Sequence, residues 1–144
     1  MIIRNFKLSD LDQVLAIEYD SFSDAYPVGI LLELYNSGVG FLVAEAANRV
    51  VGYIIFWIRN GKGHIIAIAV DENFRDMHIG SLLLERTLKV FFFNKIFTIG
   101  LEVRKSNVSA RAFYLKRGFV EVSEEEGYYS DGENAIFMQY NKSD

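Results

Sequence analysis

Residues 75–81 have the side chains and glycine expected of an anion-binding loop. They follow an apolar run that ends at Val70 and precede a long apolar-periodic segment that begins near Gly80. The first amide groups of a helix have no partner within it and carry positive partial charge, and glycine lets the backbone approach an anion closely. Arg75 adds a positive charge. This order of strand, arginine-containing loop and helix predicts a pyrophosphate site.

A second candidate group is the carboxylate of Glu102. In the run Leu101-Glu102-Val103-Arg104, alternation places Glu102 on the strand face opposite Leu101 and Val103, at the carboxyl end of the strand. A carboxylate in that position can accept a proton from a reacting group. Taken alone, Glu102 is better explained as an exposed strand carboxylate.

Residue types that are absent narrow the chemistry. The chain has no cysteine, which excludes disulfides, thiolate zinc sites and a cysteine nucleophile. Its two histidines, His64 and His78, are not at metal-ligand spacing, and the sequence contains no Gly-x-Ser-x-Gly elbow. We therefore expect neither a metal site nor a hydrolase triad.

Charge and hydropathy limit the partners. The formal net charge of -4 and pI of about 5.2 disfavour a nucleic-acid partner, whose phosphates are bound mainly by Lys and Arg. The longest apolar run, residues 50–58, is far shorter than the roughly 20 residues of a membrane helix. The first residues also lack the layout of a signal peptide. A cytoplasmic protein without a membrane partner is predicted.

The elements that would position these groups follow one another without a linker or repeat. Alternation and β-branched content predict strands, and 3.6-residue periodicity predicts helices. The continuous apolar run at residues 64–70 predicts a strand buried on both faces. The predicted strands are residues 2–6, 41–45, 50–58, 64–70, 96–103, 119–123 and 135–140, and the predicted helices begin near Ser9 in a capping-box-like sequence, at Pro27, at Ile79 and at Ser106. Residues 1–144 therefore form one α+β domain with a mixed, mostly antiparallel sheet of about seven strands flanked by about four helices.

The loop Arg75-Asp76-Met77-His78-Ile79-Gly80 resembles the signature of the general N-acetyltransferase (GNAT) superfamily: Gln or Arg, two residues, Gly, one residue, then Gly or Ala. The resemblance extends over nearly the whole chain and implies acetyl-coenzyme A as co-substrate. It implies that the backbone of one segment bonds the pantetheine arm and that the loop wraps the pyrophosphate. The residues concerned are Ile68, Ala69 and Val70 for the arm, and Arg75, Asp76, Met77, His78, Ile79, Gly80 and Ser81 for the pyrophosphate.

Two positions depart from the family pattern. His78 stands where the first glycine is usual, and Glu72 replaces a common proline. If the glycine position needs a positive φ, histidine tolerates it better than a β-branched residue, with some strain. We expect this strain to weaken coenzyme A binding. The His78 ring is an alternative hydrogen-bond donor to a phosphate, but a merely tolerated substitution is the favoured interpretation.

The run from Leu101 to Phe119 resembles the second motif of the bacterial and archaeal ribosomal-protein alanine N-terminal acetyltransferases. By this resemblance Glu102 matches the proton acceptor, Tyr114 matches the proton donor to the departing thiolate, and Asn107 matches a cofactor contact. Tyr114 taken alone is better explained as a core aromatic with a satisfied hydroxyl. The combination of these residues with the Arg75 loop favours the catalytic interpretation.

The same resemblance implies that two loops, residues 22–28 and 127–132, line the groove for the acceptor amine. Their predicted substrate contacts are Tyr26, Pro27, Val28, Tyr128 and Tyr129. The expected function is acetyl transfer to the N-terminal amine of a protein. Two alternatives are acetylation of a small amine, such as a polyamine or amino sugar, and acyl-coenzyme A binding without turnover. The sequence leaves the oligomeric state open between a monomer and a weak dimer.

Overall fold

The computed structural model describes residues 1–143. It contains four α-helices and seven β-strands, which confirms the predicted α+β class. The helices are α1 (Leu11–Ser21), α2 (Val28–Asn36), α3 (Ile79–Phe93) and α4 (Val108–Lys116), and the strands are β1 (Ile2–Asn5), β2 (Gly40–Ala46), β3 (Arg49–Arg59), β4 (Lys62–Val70), β5 (Thr98–Arg104), β6 (Val120–Glu125) and β7 (Ala135–Asn141). Short 3-10 turns occupy Leu8–Asp10 and Glu72–Phe74.

The strands form a seven-stranded sheet in the order β1-β2-β3-β4-β5-β7-β6. β1 with β2, β2 with β3, β5 with β7 and β6 with β7 are antiparallel, whereas β4 and β5 are parallel. The predicted mixed, mostly antiparallel sheet is thus confirmed. The predicted turn between β2 and β3 is also present, with left-handed φ angles of 52° at Ala47 and 63° at Asn48. Positive φ at both central residues matches the right-handed twist of the flanking strands.

Backbone contacts divide the chain into two compact units. The first comprises Met1–Trp57 and Ile66–Val90, and the second comprises Ile58–Ile65 and the described part of Phe91–Asp144. In the first unit the apolar faces of α1 and α2 pack on β2 and β3, around a cluster of buried side chains. Within this unit, a Cβ at Gly52 would lie 3.2 Å from both the Ile79 and Leu83 side chains. Glycine at this position therefore lets the first turn of α3 lie against β3.

In the second unit the alternating residues Ile99, Leu101 and Val103 turn one face of β5 into the core. The aromatic ring of Phe119, which follows α4, is also buried there. Gly118 ends α4 with a φ of 97°, a conformation that glycine adopts without steric cost. The face of β5 that carries Glu102 is half-buried, as the alternation predicted.

Two local predictions are wrong. Buried and half-buried residues alternate along β4, so this strand is not buried on both faces. The chain's own elements cover its second face only partly, and apolar composition cannot show that. The capping box near Ser9 is also replaced by the 3-10 turn Leu8–Asp10. The Asp10 carboxylate accepts hydrogen bonds from the Lys7 amide and the Arg4 guanidinium instead of capping α1.

Candidate active site

The end of β4 leads into the predicted anion loop through Asp71. The amide of Asp71 donates to the Val51 carbonyl at 2.8 Å, and its carboxylate accepts from the Asn73 amide at 2.9 Å. The guanidinium of Arg49 lies 3.0 Å from the same carboxylate. These contacts fix the chain direction immediately before Arg75.

Residues 75–78 turn the backbone into α3 by an unusual route. Asp76 and His78 both have left-handed φ angles, 65° and 61°. The His78 carbonyl accepts from the Leu82 amide at 3.0 Å, so the helical hydrogen bonds of α3 begin at this residue. The positive φ considered for His78 is confirmed, whereas that of Asp76 was not foreseen. After these two left-handed residues the loop ends at the first turn of α3, whose amides have no hydrogen-bond partner within the helix.

This loop fits a pyrophosphate group. Arg75 is exposed, and its Nε donates to the Val70 carbonyl at 3.3 Å, which holds the guanidinium beside the end of β4. A cationic side chain next to a helix N-terminus is a favourable environment for phosphate oxygens. Met77 is 60% exposed and Ser81 half-buried, so the loop surface is open to a ligand. The individual cofactor contacts predicted from the sequence stay predictions.

The predicted base, Glu102, is hydrogen bonded to a histidine. In the parallel pair, His64 of β4 is opposite Gly100 of β5. Because Gly100 has no side chain, the imidazole lies alongside it, and the His64 Nε2 is 2.8 Å from the Glu102 Oε2. Sequence reasoning missed His64, because it considered histidines only as metal ligands. The signal that could have found it was a histidine on β4 and a glycine two residues before Glu102 on the next strand.

Tyr128 brings the acceptor loop to the same carboxylate. Tyr128 lies close enough to Glu102 to interact with its carboxylate, and its ring packs edge-on against Phe137, the residue opposite Glu102 on β7. Burial and, secondarily, the charges of Glu102 and Glu125 raise the pKa of Tyr128, so the phenol stays a donor at neutral pH. The Glu102 side chain is 19% exposed and Tyr128 is 44% exposed, so the carboxylate is shielded but reachable from solvent. Within the second unit, His64 and Tyr128 both lie against the Glu102 carboxylate.

Arg104 holds the loop that carries Tyr128 and Tyr129. Its guanidinium lies 4.1 Å from the centre of the Tyr129 ring and donates to Asp131 at 2.9 Å and Glu133 at 2.8 Å. Hydrogen bonds from Ser106 and Arg104 lower the pKa of Glu133 to about 2. This network ties the loop between β6 and β7 to the end of β5, which carries Glu102.

Tyr114 and Asn107 lie on α4 in the same unit. Tyr114 is only 6% exposed. Its ring makes edge-to-face contacts with Phe113 and Phe119, with centroid distances of 5.2 Å and 5.5 Å. Burial, with a smaller effect from Tyr129, raises the pKa of Tyr114, so its hydroxyl stays protonated at neutral pH. The Asn107 Oδ1 accepts from the Ala110 amide at 3.1 Å and caps α4, which leaves its side-chain nitrogen outside the cap. The roles predicted for both residues stay predictions.

The other predicted acceptor residues lie in the first unit. Tyr26 is half-buried against the core and donates its amide to Glu18 at 2.9 Å. Pro27, with a φ of -65°, is the N-cap of α2, and Val28 is 43% exposed.

The described residues contain neither a metal-binding cluster nor a membrane-spanning helix. Within residues 1–143, no group of three or more His, Asp or Glu side chains is arranged to hold a metal ion. No helix in this described range combines the length and the apolar composition needed to cross a membrane.

Comparison with known proteins places this geometry in a family. The profile of the Acetyltransferase (GNAT) family matches residues 9–119. An uncharacterised N-acetyltransferase of Methanocaldococcus jannaschii is 44% identical over 96% of this chain and 90% of its own. An N-alpha-acetyltransferase of Sulfurisphaera tokodaii is 37% identical over 94% of this chain and 90% of its own.

Solved structures agree with these relatives. The crystal structure of Ard1 from Thermoplasma volcanium superposes with a TM-score of 0.95 at 33% identity, covering 99% of this chain and 98% of that one. Proteins named ribosomal-protein alanine N-acetyltransferases are also among the matches, as the second motif predicted. The family profile covers most of the chain and the relatives cover nearly all of it. This chain therefore belongs to the GNAT family, whose members transfer acetyl groups from acetyl-coenzyme A.

Proposed function

We propose that the protein acetylates the N-terminal α-amine of a protein. The observation that carries this proposal is that His64 lies 2.8 Å from the candidate base Glu102 and that Tyr128 of the predicted acceptor loop lies against the same carboxylate. A relative named N-alpha-acetyltransferase supports the same acceptor class. The acetyl donor is acetyl-coenzyme A.

A carboxylate base suits an α-amine better than a lysine or polyamine. The amine must be neutral to attack, and an α-amine has an ordinary pKa of about 7.7–8.0, whereas a lysine amine has one of about 10.4. At neutral pH a fraction of α-amines is already unprotonated. A weak base such as Glu102 is therefore sufficient to complete the deprotonation. The unprotonated fraction of a lysine amine at the same pH is smaller by a factor of several hundred, on the order set by the difference in pKa.

The proposed reaction is direct attack. Glu102 accepts one proton from the α-ammonium group, with His64 as the hydrogen-bond partner that orients the carboxylate. The nitrogen lone pair forms the new C–N bond at the acetyl carbon, and the C–S bond breaks. The departing thiolate takes the proton of the Tyr114 hydroxyl, and the acetylated nitrogen releases its second surplus proton, which restores the Tyr114 phenol through solvent. In this proposal the products are an N-acetylated chain and free coenzyme A.

The binding residues divide by ligand. We assign the pantetheine arm to the backbone of residues 68–70, the pyrophosphate to residues 75–81, and a further cofactor contact to Asn107. The acceptor's first residues are assigned to Tyr26, Pro27 and Val28 and to Tyr128 and Tyr129. Rigid rings with hydroxyl groups suit recognition of an extended backbone with a small first side chain.

The test is an acceptor panel with acetyl-coenzyme A, read by mass spectrometry. It contains free-terminus peptides, terminally blocked lysine peptides and polyamines. We expect a mass gain of one acetyl group on free-terminus peptides. Glu102→Gln should slow this reaction strongly, whereas Glu121→Gln, which removes a strand carboxylate paired with Arg111 on the surface, should not. Product confined to polyamines would contradict the proposal, and no turnover with any amine would favour a binding protein.

A further inference from the structure

Glu18 is a buried carboxylate that the proposed reaction does not use. It lies on α1, is 1% exposed, and is surrounded by apolar side chains of the first unit such as Val14 and Ile17. The described residues give it no Lys or Arg partner. A buried charge without a cation is costly unless every oxygen is hydrogen bonded.

Both carboxylate oxygens of Glu18 accept hydrogen bonds. Oε2 accepts from the backbone amide of Tyr26 at 2.9 Å. Oε1 accepts from the hydroxyl of Tyr53, which is itself fully buried on β3. Burial and the neighbouring Glu18 raise the pKa of Tyr53, so this phenol keeps its proton and acts as the donor. Tyr53 thus holds the Glu18 carboxylate from the strand side.

The same residue contacts both ends of the segment between α1 and α2. The Glu18 carbonyl accepts from the Phe22 amide at 3.0 Å and ends α1, while its side chain holds the Tyr26 amide. The side chains of Phe22 and Tyr26 pack on the core. Immediately after Tyr26, the ring of Pro27 restricts the backbone at the start of α2. Glu18 and Pro27 together define the path of residues 22–28.

We propose that Glu18 is a positioning residue that sets the acceptor loop, residues 22–28, in the conformation that binds the peptide substrate. This inference rests on the proposed function, since the acceptor role of Tyr26, Pro27 and Val28 belongs to that proposal. Loss of the Glu18 carboxylate leaves the Tyr26 amide without its acceptor and releases the loop. It leaves the cofactor loop at residues 75–81 intact.

Three variants and a control test this role. Glu18→Ala removes the acceptor, Tyr53→Phe removes one support of the carboxylate, and Glu18→Gln keeps a carbonyl that can accept from the Tyr26 amide. Asp10→Ala is the matched control, because Asp10 is also a buried carboxylate beside α1 but bonds to Arg4 and Lys7. Each variant is assayed for KM of a free-terminus peptide, KM of acetyl-coenzyme A, kcat, and hydrogen exchange of the Tyr26 amide.

We expect Glu18→Ala to raise the peptide KM by about tenfold or more, the effect of losing roughly 1.4 kcal/mol of binding. Its kcat and its KM for acetyl-coenzyme A should stay within about threefold of the wild type, and its Tyr26 amide should exchange faster. Tyr53→Phe should give an intermediate peptide KM, and Glu18→Gln should restore a value near that of the wild type. Asp10→Ala should lower the melting temperature without changing the peptide KM.

An unchanged peptide KM in Glu18→Ala would overturn the inference, as would parallel changes in both KM values and kcat. If Glu18→Ala does not fold, the contrast between Tyr53→Phe and Glu18→Gln decides, and equal peptide KM values in these two would overturn it. Failure of the proposed function is distinguishable, because it appears as absent product from the wild type on free-terminus peptides. Fast Tyr26 exchange in the wild type would instead contradict the positioning role directly.

Discussion

Replacing His78 with glycine should stabilise the folded protein, because this residue holds a left-handed backbone at the start of α3. Its φ is 61° and its side chain is exposed, so the substitution relieves backbone strain while removing little packing. Asp76, two residues earlier, also has a left-handed backbone, with a φ of 65°. The loop therefore stores strain at two non-glycine residues, of which His78 stands where the family usually has glycine.

The magnitude follows from two opposing effects. A left-handed conformation costs a residue with a Cβ about 1–2 kcal/mol, and histidine is among the side chains found there more often than average. Glycine offsets part of this gain by about 0.4–1 kcal/mol, because it is freer in the unfolded chain. We expect His78→Gly to raise the free energy of unfolding by about 0.5 kcal/mol, and His78→Ala to lie about 1 kcal/mol below His78→Gly.

Urea unfolding without coenzyme A measures this order, and comparing glycine with alanine removes any contribution of the imidazole. Glu85, an exposed residue inside α3, provides the matched control. There the order should reverse, with Glu85→Ala more stable than Glu85→Gly by about 0.5–1 kcal/mol. An alanine variant at position 78 as stable as the glycine variant would refute the strain argument.

Three further outcomes are expected. Tyr114→Phe should lower kcat on the order of a hundredfold while leaving acetyl-coenzyme A affinity unchanged by calorimetry, because this hydroxyl is assigned to the thiolate. Equal rates would remove that assignment. Glu133 has its pKa lowered to about 2, so its contribution to stability is present above the ordinary carboxyl pKa and is lost as pH falls toward 2. Urea unfolding of Glu133→Gln should therefore differ from the wild type more at pH 6 than at pH 2, and a constant difference would contradict this. Arg4→Met should reduce the free energy of unfolding by about 2 kcal/mol, since it leaves the buried Asp10 carboxylate with the Lys7 amide as its remaining donor. A thermal melt unchanged by this variant would show that the pair contributes nothing.

Elements with a clear period were predictable from the sequence. The alternation that set Glu102 apart from Leu101 and Val103 appears as a buried and a half-buried face of β5. The helix predicted to begin at Ile79 appears as α3 with that first residue, because its apolar positions recur at helical spacing. The cofactor loop was located by the apolar strand before it, β4, and by this helix rather than by its glycines.

Contacts between distant residues were not predictable in the same way. His64 reaches Glu102 across 38 positions, and this required the parallel register of β4 and β5. Glu18 lies on the helix predicted to begin near Ser9, but its buried partner Tyr53 is 35 positions away. Local patterns report which face a residue occupies, whereas partners within the core depend on how whole elements pack.

The most direct test of the central claim uses one peptide that carries both a free α-amine and an internal lysine. After incubation with acetyl-coenzyme A and the wild-type protein, fragment-ion mass spectrometry locates the added acetyl group. Acetylation at the α-amine, slowed in Glu102→Gln and in His64→Ala, is the predicted result. Acetylation at the lysine side chain, or equal modification of both amines, would contradict the proposed N-terminal acetyltransferase.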